Sequence, residues 1–145
     1  MTRPSLSEFA MPAAAPTLHI AAALIEDASG RLLLVRKRDT TAFMQAGGKI
    51  EPHELPADAL SRELFEELGC RPRHLEPLGE FTAPAANEPG HGLHAHLFRV
   101  ELDGPPQAAA EIAELRWVSP VDAATLPLAP LTRDIVLPRA SAPAA

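Results

Sequence analysis

Tyrosine is missing from this chain of 145 residues, cysteine occurs once, and aromatic residues make up only 4% of it. A lone cysteine, Cys70, excludes an internal disulfide and fits a reducing compartment. Cations are scarce as well. Thirteen Lys and Arg stand against 19 Asp and Glu, for a net charge of −6 and a pI near 5.5. Phosphate backbones and anionic lipid surfaces are bound through clustered Lys and Arg, so neither a nucleic-acid polymer nor a membrane is expected as a partner. A phosphorylated small molecule remains, because divalent ions can bridge acid to acid. Long apolar runs are absent too. The opening MTRPSLSEFAMPAAAPT lacks the continuous apolar stretch of a signal peptide, and IAAALI is far too short to span a bilayer. The expected location is the cytoplasm.

What is present suits one domain with a real core: 46% of residues are hydrophobic, and the length leaves no room for a second domain. Residues 1–16, rich in Pro, Ala and Ser, read as a tail or a dimer arm, residues 17–138 as the domain, and 139–145 as a second tail. Two β-prone runs, 17–26 and 31–37, flank Asp27-Ala28-Ser29-Gly30, which is hairpin chemistry. Leu32 to Val35 is a continuous apolar run and predicts a strand covered on both faces. Further strands are expected at 78–82, 93–102 and LRWV, with loops at 83–92 and 103–110 and a short helix from Pro120. Strands on both sides of a central helix, with another helix late, imply an α/β fold with a mixed sheet packed between helices.

The most informative segment runs from Gly48 to Cys70. It reads Gly48, five residues, Glu54, seven residues, then Arg62-Glu63-Leu64, one residue, Glu66-Glu67, one residue, Gly69-Cys70. Eight such positions match by chance on the order of once in 10⁷ chains of this size. Pro56 suits a first helical turn, and good helix formers continue to Leu68, where Gly69 stops them. Glu63, Glu66 and Glu67 then stand at i, i+3 and i+4 and share a face, while Ala57, Leu64 and Leu68 form an adjoining apolar stripe. Like charges at that spacing oppose the helix, and a bound cation relieves them. Carboxylate oxygens select a hard ion, Mg²⁺ or Mn²⁺, over zinc. Arg62, four residues before Glu66, can hold that side chain and leave Glu63 and Glu67 to coordinate. On its own such a helix reads more readily as a solvated amphipathic one. Gly47-Gly48, which admits close approach of a carbonyl or a phosphate, and Glu54, placed to cap the helix or brace Arg62, tip the balance toward a site.

The segment resembles the signature of the Nudix hydrolases, G-x5-E-x7-R-E-U-x-E-E-x-G-U with U aliphatic. Every fixed position is met except the last, where Cys70 stands for an aliphatic residue. At two softer positions Ala46 replaces a common Pro and His53 a common Gly. The resemblance extends from the first strand pair to the Trp117 region, roughly four fifths of the chain. It implies an α/β/α sandwich and Mg²⁺-dependent hydrolysis of a nucleoside diphosphate linked to another group, with Mn²⁺ able to substitute. It also implies metal ligands among Gly48, Glu63, Glu66 and Glu67. In many members an acid in the loop before the Trp strand supplies a further ligand or the general base, which points to Glu111, with Glu114 competing.

Other polar groups are weaker candidates. His94 and His96 share one strand face; two His at i, i+2 can ligate a metal, yet the sequence shows nothing to complete a zinc set. Facing a cleft, they would instead contact substrate, as would Asn87 and Glu88 in the loop before them. Arg36, Lys37 and Arg38 end the second strand beside Gly47-Gly48, and Arg36 and Arg38 are taken as phosphate contacts. Trp117 is expected in the core. The absence of Tyr disfavours relatives that stack a dinucleoside polyphosphate on a downstream tyrosine, Pro84 is not clearly at the spacing associated with ADP-ribose hydrolases, and no coenzyme A motif is visible. A (d)NTP or an oxidised nucleotide is left by elimination. The alternatives are a nucleotide-binding regulator without turnover, which usually lacks one of the glutamates, and an ADP-ribose or nucleotide-sugar hydrolase. An isoprenoid isomerase would need a Cys in a sheet, not after the helix. The resemblance allows a homodimer.

Overall fold

The computed structural model describes residues 16–140. The chain forms β1 (Thr17–Ile25), β2 (Leu32–Lys37), β3 (Phe43–Met44), β4 (Gly47–Lys49), α1 (Pro56–Leu68), β5 (Pro72–Pro84), β6 (Gly92–Leu102), β7 (Ile112–Val118) and α2 (Pro120–Ala123). It closes with one wide helical turn, Thr132–Val136, and a tighter one, Leu137–Arg139. The final turn therefore passes the boundary expected at 138. The proposed tails lie almost wholly outside the described residues.

The strands divide between two sheets. A mixed four-stranded sheet has the order β4-β1-β6-β5, with β1 and β6 parallel, and an antiparallel three-stranded sheet has the order β3-β2-β7. The hairpin expected around Asp27 to Gly30 is a turn but hardly a ladder: β1 and β2 meet in one isolated bridge, Glu26 to Leu32, and then diverge. Asp27 satisfies the turn itself, accepting backbone hydrogen bonds from Ser29 and Arg31 at 2.9 and 2.8 Å. The divergence follows from β1 being claimed on both edges, by β4 and by β6.

The continuous apolar run is buried on both faces, as its composition predicts. Leu33 and Val35 join Ala21, Ala23, Leu60, Leu64 and Leu68 in the core under α1. Leu32 and Leu34 join Ala22, Leu24, Leu97, Leu131 and Val136 in a second core under α2 and the C-terminal turns. Helices thus cover both sides of the strands in an α/β/α arrangement. Each fully buried leucine contributes about 1.5–3 kcal/mol through removal from water.

Helix α1 has the extent its sequence predicts. Pro56 opens it, and Gly69, in the left-handed region at φ 72°, ends it by donating its N–H to the Phe65 carbonyl at 2.9 Å. Its buried face comprises Ala59, Leu60, Leu64 and Leu68, and Glu67 with them. Cys70 lies just beyond, 4% exposed, with its Sγ against the carbonyl oxygens of Leu68, Gly104 and Pro105.

Candidate active site

Gly47 and Gly48 belong to the strand β4, paired with β1 so that Ala22 faces Gly47 and Ala21 faces Gly48. Both glycines are required by proximity. Gly47 has φ 138°, and a side chain there would run into the Ala21 carbonyl oxygen and lie 2.9 Å from the Ala22 Cα. At Gly48 an added Cβ would come within 2.5 Å of Glu63 Oε1. β4 therefore brings bare backbone against the acidic face of α1.

Between these elements lies a cleft of about 350 Å³. Glu63, Glu66, Glu67 and Glu111 line one side with Gly47 and Gly48. Leu18, Ile20, Met44, Leu93 and Leu131 provide apolar walls, and Asn87 and Glu88 stand at the rim. Lys49 and Glu88 pair at 3.6 Å.

Glu67 is the unusual member. It is 2% exposed, and Oε1 accepts the Gly47 N–H at 3.2 Å. Burial, reinforced by the nearby Glu63 and Glu111 carboxylates and opposed by that hydrogen bond, pushes its pKa up to about 8. Glu63 is also raised, first by burial, while Arg62 pulls the other way. Carboxylates gathered beside the buried Glu67 call for positive charge between them, and an all-oxygen donor set in which Gly48 leaves no Cβ in the way fits a hard divalent cation.

Arg62 departs from expectation. Instead of holding Glu66 it reaches back to Glu54, whose two oxygens accept from Nη2 and Nε at 2.9 Å each. It also donates to Glu63 Oε2 at 2.9 Å and to the Lys49 carbonyl at 3.0 Å. The fork geometry favours two parallel bonds to one carboxylate over a single contact one helical turn away. Glu54 braces Arg62 and does not cap the helix, whose N-cap Leu55 makes no side-chain hydrogen bond. The Arg62 guanidinium, with help from the Glu51 N–H, holds the Glu54 carboxyl down to about 2. Arg62 thereby ties the loop before α1, the end of β4 and Glu63 into one unit.

Glu111 lines the cleft, with its carboxylate 3.7 Å from Lys37 Nζ. The competing Glu114 is occupied elsewhere, bound by Arg116 at 2.8 Å and Arg36 at 3.2 Å. Neither Arg36 nor Arg38 lines the cleft. Arg36 is tied to Glu114 and the Thr40 carbonyl, and Arg38 donates to the Ala110 carbonyl. Of the three cations that end β2, Lys37 lines the cleft: the alternation of the strand puts it on the same face as Leu33 and Val35, which pack under α1.

His94 and His96 are also displaced from their expected role. Leu93 faces the cleft, and the alternation of β6 turns both imidazoles to the other side of the sheet. There His94 Nε2 lies 2.8 Å from Glu80 Oε1. Trp117 packs against the core, as expected. Sequence reasoning missed Lys49 and Met44, which have no chemical signature of their own. It also missed Gln45, which is 7% exposed and whose Oε1 accepts from Thr132 Oγ1 at 2.6 Å.

The NUDIX domain family model matches residues 16–139. The chain is a Nudix hydrolase. The CTP pyrophosphohydrolase of Escherichia coli strain K12 is 38% identical over 119 residues, 78% of this chain and 84% of that one. A putative 8-oxo-dGTP diphosphatase of Bacillus subtilis is 29% identical over 99 residues, 67% of this chain and 63% of that one. In fold, the Nudix hydrolase resembles the crystal structure of a MutT Nudix hydrolase from Burkholderia pseudomallei, with a TM-score of 0.74 at 23% identity, covering 86% of this chain and 98% of that one. Nudix hydrolases are pyrophosphohydrolases acting on acid anhydrides and generally use a divalent metal, which agrees with the donor set described above. Among the described residues no helix is long and apolar enough to cross a membrane.

Proposed function

We propose that this Nudix hydrolase cleaves a nucleoside triphosphate, ordinary or oxidised, to a nucleoside monophosphate and pyrophosphate with Mg²⁺, for which Mn²⁺ can substitute. The observation that carries this reading is the two-sided cleft, in which acidic residues and bare backbone form one wall and apolar side chains the rest. Its volume of about 350 Å³ lies near the lower end for ligand pockets, ~300–1,000 Å³, which suits a mononucleotide better than a dinucleoside polyphosphate. The names of the two relatives, one acting on CTP and the other described as a diphosphatase of 8-oxo-dGTP, support the same class. The substrate stays in the cytoplasm on this reading, and neither a nucleic-acid polymer nor a membrane is needed.

Glu63, Glu66 and Glu67, with the backbone of Gly48, would hold Mg²⁺, which when bound neutralises diphosphate charge and favours ionisation of water. Arg62, fixed by Glu54, keeps Glu63 turned into the cleft. Lys37 and Lys49 offer positive charge to phosphate oxygens. Glu111 takes the proton of the attacking water, whose oxygen adds to phosphorus in line as the bond to the leaving phosphate oxygen breaks. Glu111 suits this role because it faces the cleft without sharing the Arg62 network. Leu18, Ile20, Met44 and Leu93 enclose the base, and Gln45, held by Thr132, sets a polar group at its edge.

The test is a product screen over nucleoside triphosphates, oxidised nucleotides, ADP-ribose and nucleotide sugars, with and without Mg²⁺. Pyrophosphate and a nucleoside monophosphate should be released from a triphosphate, and only with metal. Metal-independent nucleotide binding without turnover would support a regulatory domain instead.

A further inference from the structure

We propose that Glu80, His94 and His96 form a second divalent-metal site, for a borderline transition ion such as Zn²⁺, on the sheet face away from the nucleotide cleft. None of the three lines that cleft. The sequence placed the two histidines two residues apart but offered no third ligand; strand pairing supplies it. In the β5–β6 ladder Glu80 is directly opposite His96, and Thr82 is opposite His94, so the carboxylate sits between the two imidazoles on one face.

The ligand atoms of the three residues all lie within 4.8 Å of one another. Both Nε2 atoms point at the same oxygen, Glu80 Oε1, at 2.8 Å for His94 and 4.0 Å for His96. Neighbouring ligands of a tetrahedral zinc with bonds of about 2.1 Å stand about 3.4 Å apart. The two observed separations bracket that value, so small side-chain rotations would admit an ion. Two imidazoles and one carboxylate are a common zinc set that leaves a fourth position open. His19 stands opposite His94 in the β1–β6 ladder, with ring centroids 5.4 Å apart. All four side chains are at least partly exposed, which leaves an ion a route in.

The two sites would sort ions by hardness. Oxygen-only ligands in the cleft favour Mg²⁺, whereas imidazole nitrogen favours Zn²⁺ even in a large excess of Mg²⁺. The outer site would clamp β5 to β6 and leave the chemistry of the cleft alone.

The experiment is a Zn²⁺ titration of the full chain against a chromophoric chelator in millimolar Mg²⁺. It compares the protein as it is with the His94→Ala/His96→Ala double variant and with Glu80→Gln. One equivalent of Zn²⁺ should bind, at least tenfold more weakly to either variant, with Mg²⁺-dependent hydrolysis unchanged. In the unsubstituted protein, imidazole ¹⁵N resonances of His94 and His96 should move on Zn²⁺ addition, which does not depend on the variants folding. No Zn²⁺ uptake, equal affinity in the double variant, or shifts confined to other residues would overturn the proposal.

Discussion

Replacing Glu67 by Gln should reverse the way this protein's stability responds to pH and metal. In the metal-free fold the Glu67 carboxyl is raised from 4.5 to about 8, chiefly by burial at 2% exposure. A raised carboxyl pKa means that the folded state holds a proton which the unfolded chain releases. Stability from this group is therefore complete below pH 4.5 and is lost as pH rises toward 8. At ~1.4 kcal/mol per pKa unit the full loss is about 5 kcal/mol, of which about 3–4 falls between pH 5 and pH 8. That is a large part of the ~5–15 kcal/mol available to a domain. Glutamine has the same shape and no charge to desolvate, so the variant in chelator should lack this slope and exceed the unsubstituted protein by about 3 kcal/mol at pH 7. With Mg²⁺ the order should invert, because only the ionised carboxylate gains from the cation. Denaturant melts at pH 5 and 8, with chelator and with Mg²⁺, read all four quantities. Equal pH slopes for the two proteins in chelator would refute the reasoning.

Glu66→Gln should lower Mg²⁺-dependent turnover by roughly 10³-fold or more while the melting temperature stays within a few degrees, as measured by pyrophosphate release and a thermal scan. Gly48→Ala should fold, since its Cβ displaces only the end of the Glu63 side chain, yet lose at least ~100-fold in turnover because a misplaced carboxylate is costly. Gly47→Ala meets backbone instead, and its melting temperature should fall as β4 parts from β1. Glu111→Gln should reduce kcat by about 10²–10⁴-fold with the Mg²⁺ concentration for half-maximal rate unchanged; a steep rise in that concentration would make Glu111 a ligand and not the base. His53 has φ 67° where relatives commonly carry glycine, so His53→Gly should stabilise the fold by about 0.5–1 kcal/mol in denaturant melts.

The extent of α1 could be read from Pro56 and Gly69 because both act through their own backbone restrictions, which no tertiary contact overrides. The burial of Leu32 to Val35 on two faces followed from an unbroken apolar run. The sequence understates β5 because its 13 residues alternate few apolar groups and include Pro72, Pro77 and Gly79, and its pairing slips between Pro72 and His74 and again between Pro77 and Gly79. Its length is set by the partner strand β6 and not by its own pattern. The acidic face of α1 was legible because helix periodicity is rigid. The choice of Lys37 over Arg36 and Arg38 depends on which face of β2 packs under α1, and the Glu80 neighbourhood of His94 and His96 on a cross-strand alignment. Both are long-range facts. Arg62 was read as a helical neighbour of Glu66, but a bidentate partner eight residues earlier holds it more strongly.

The central claim is that the carboxylates of Glu63, Glu66 and Glu67 meet a divalent cation against a nucleotide's diphosphate. A crystal structure of the protein with Mg²⁺ and a non-hydrolysable nucleoside triphosphate tests it most directly. Cation density bonded both to these side chains and to phosphate oxygens, with the base among Leu18, Ile20 and Leu93, is the expected result. Phosphates bound away from α1, with the three glutamates free of metal, would contradict it.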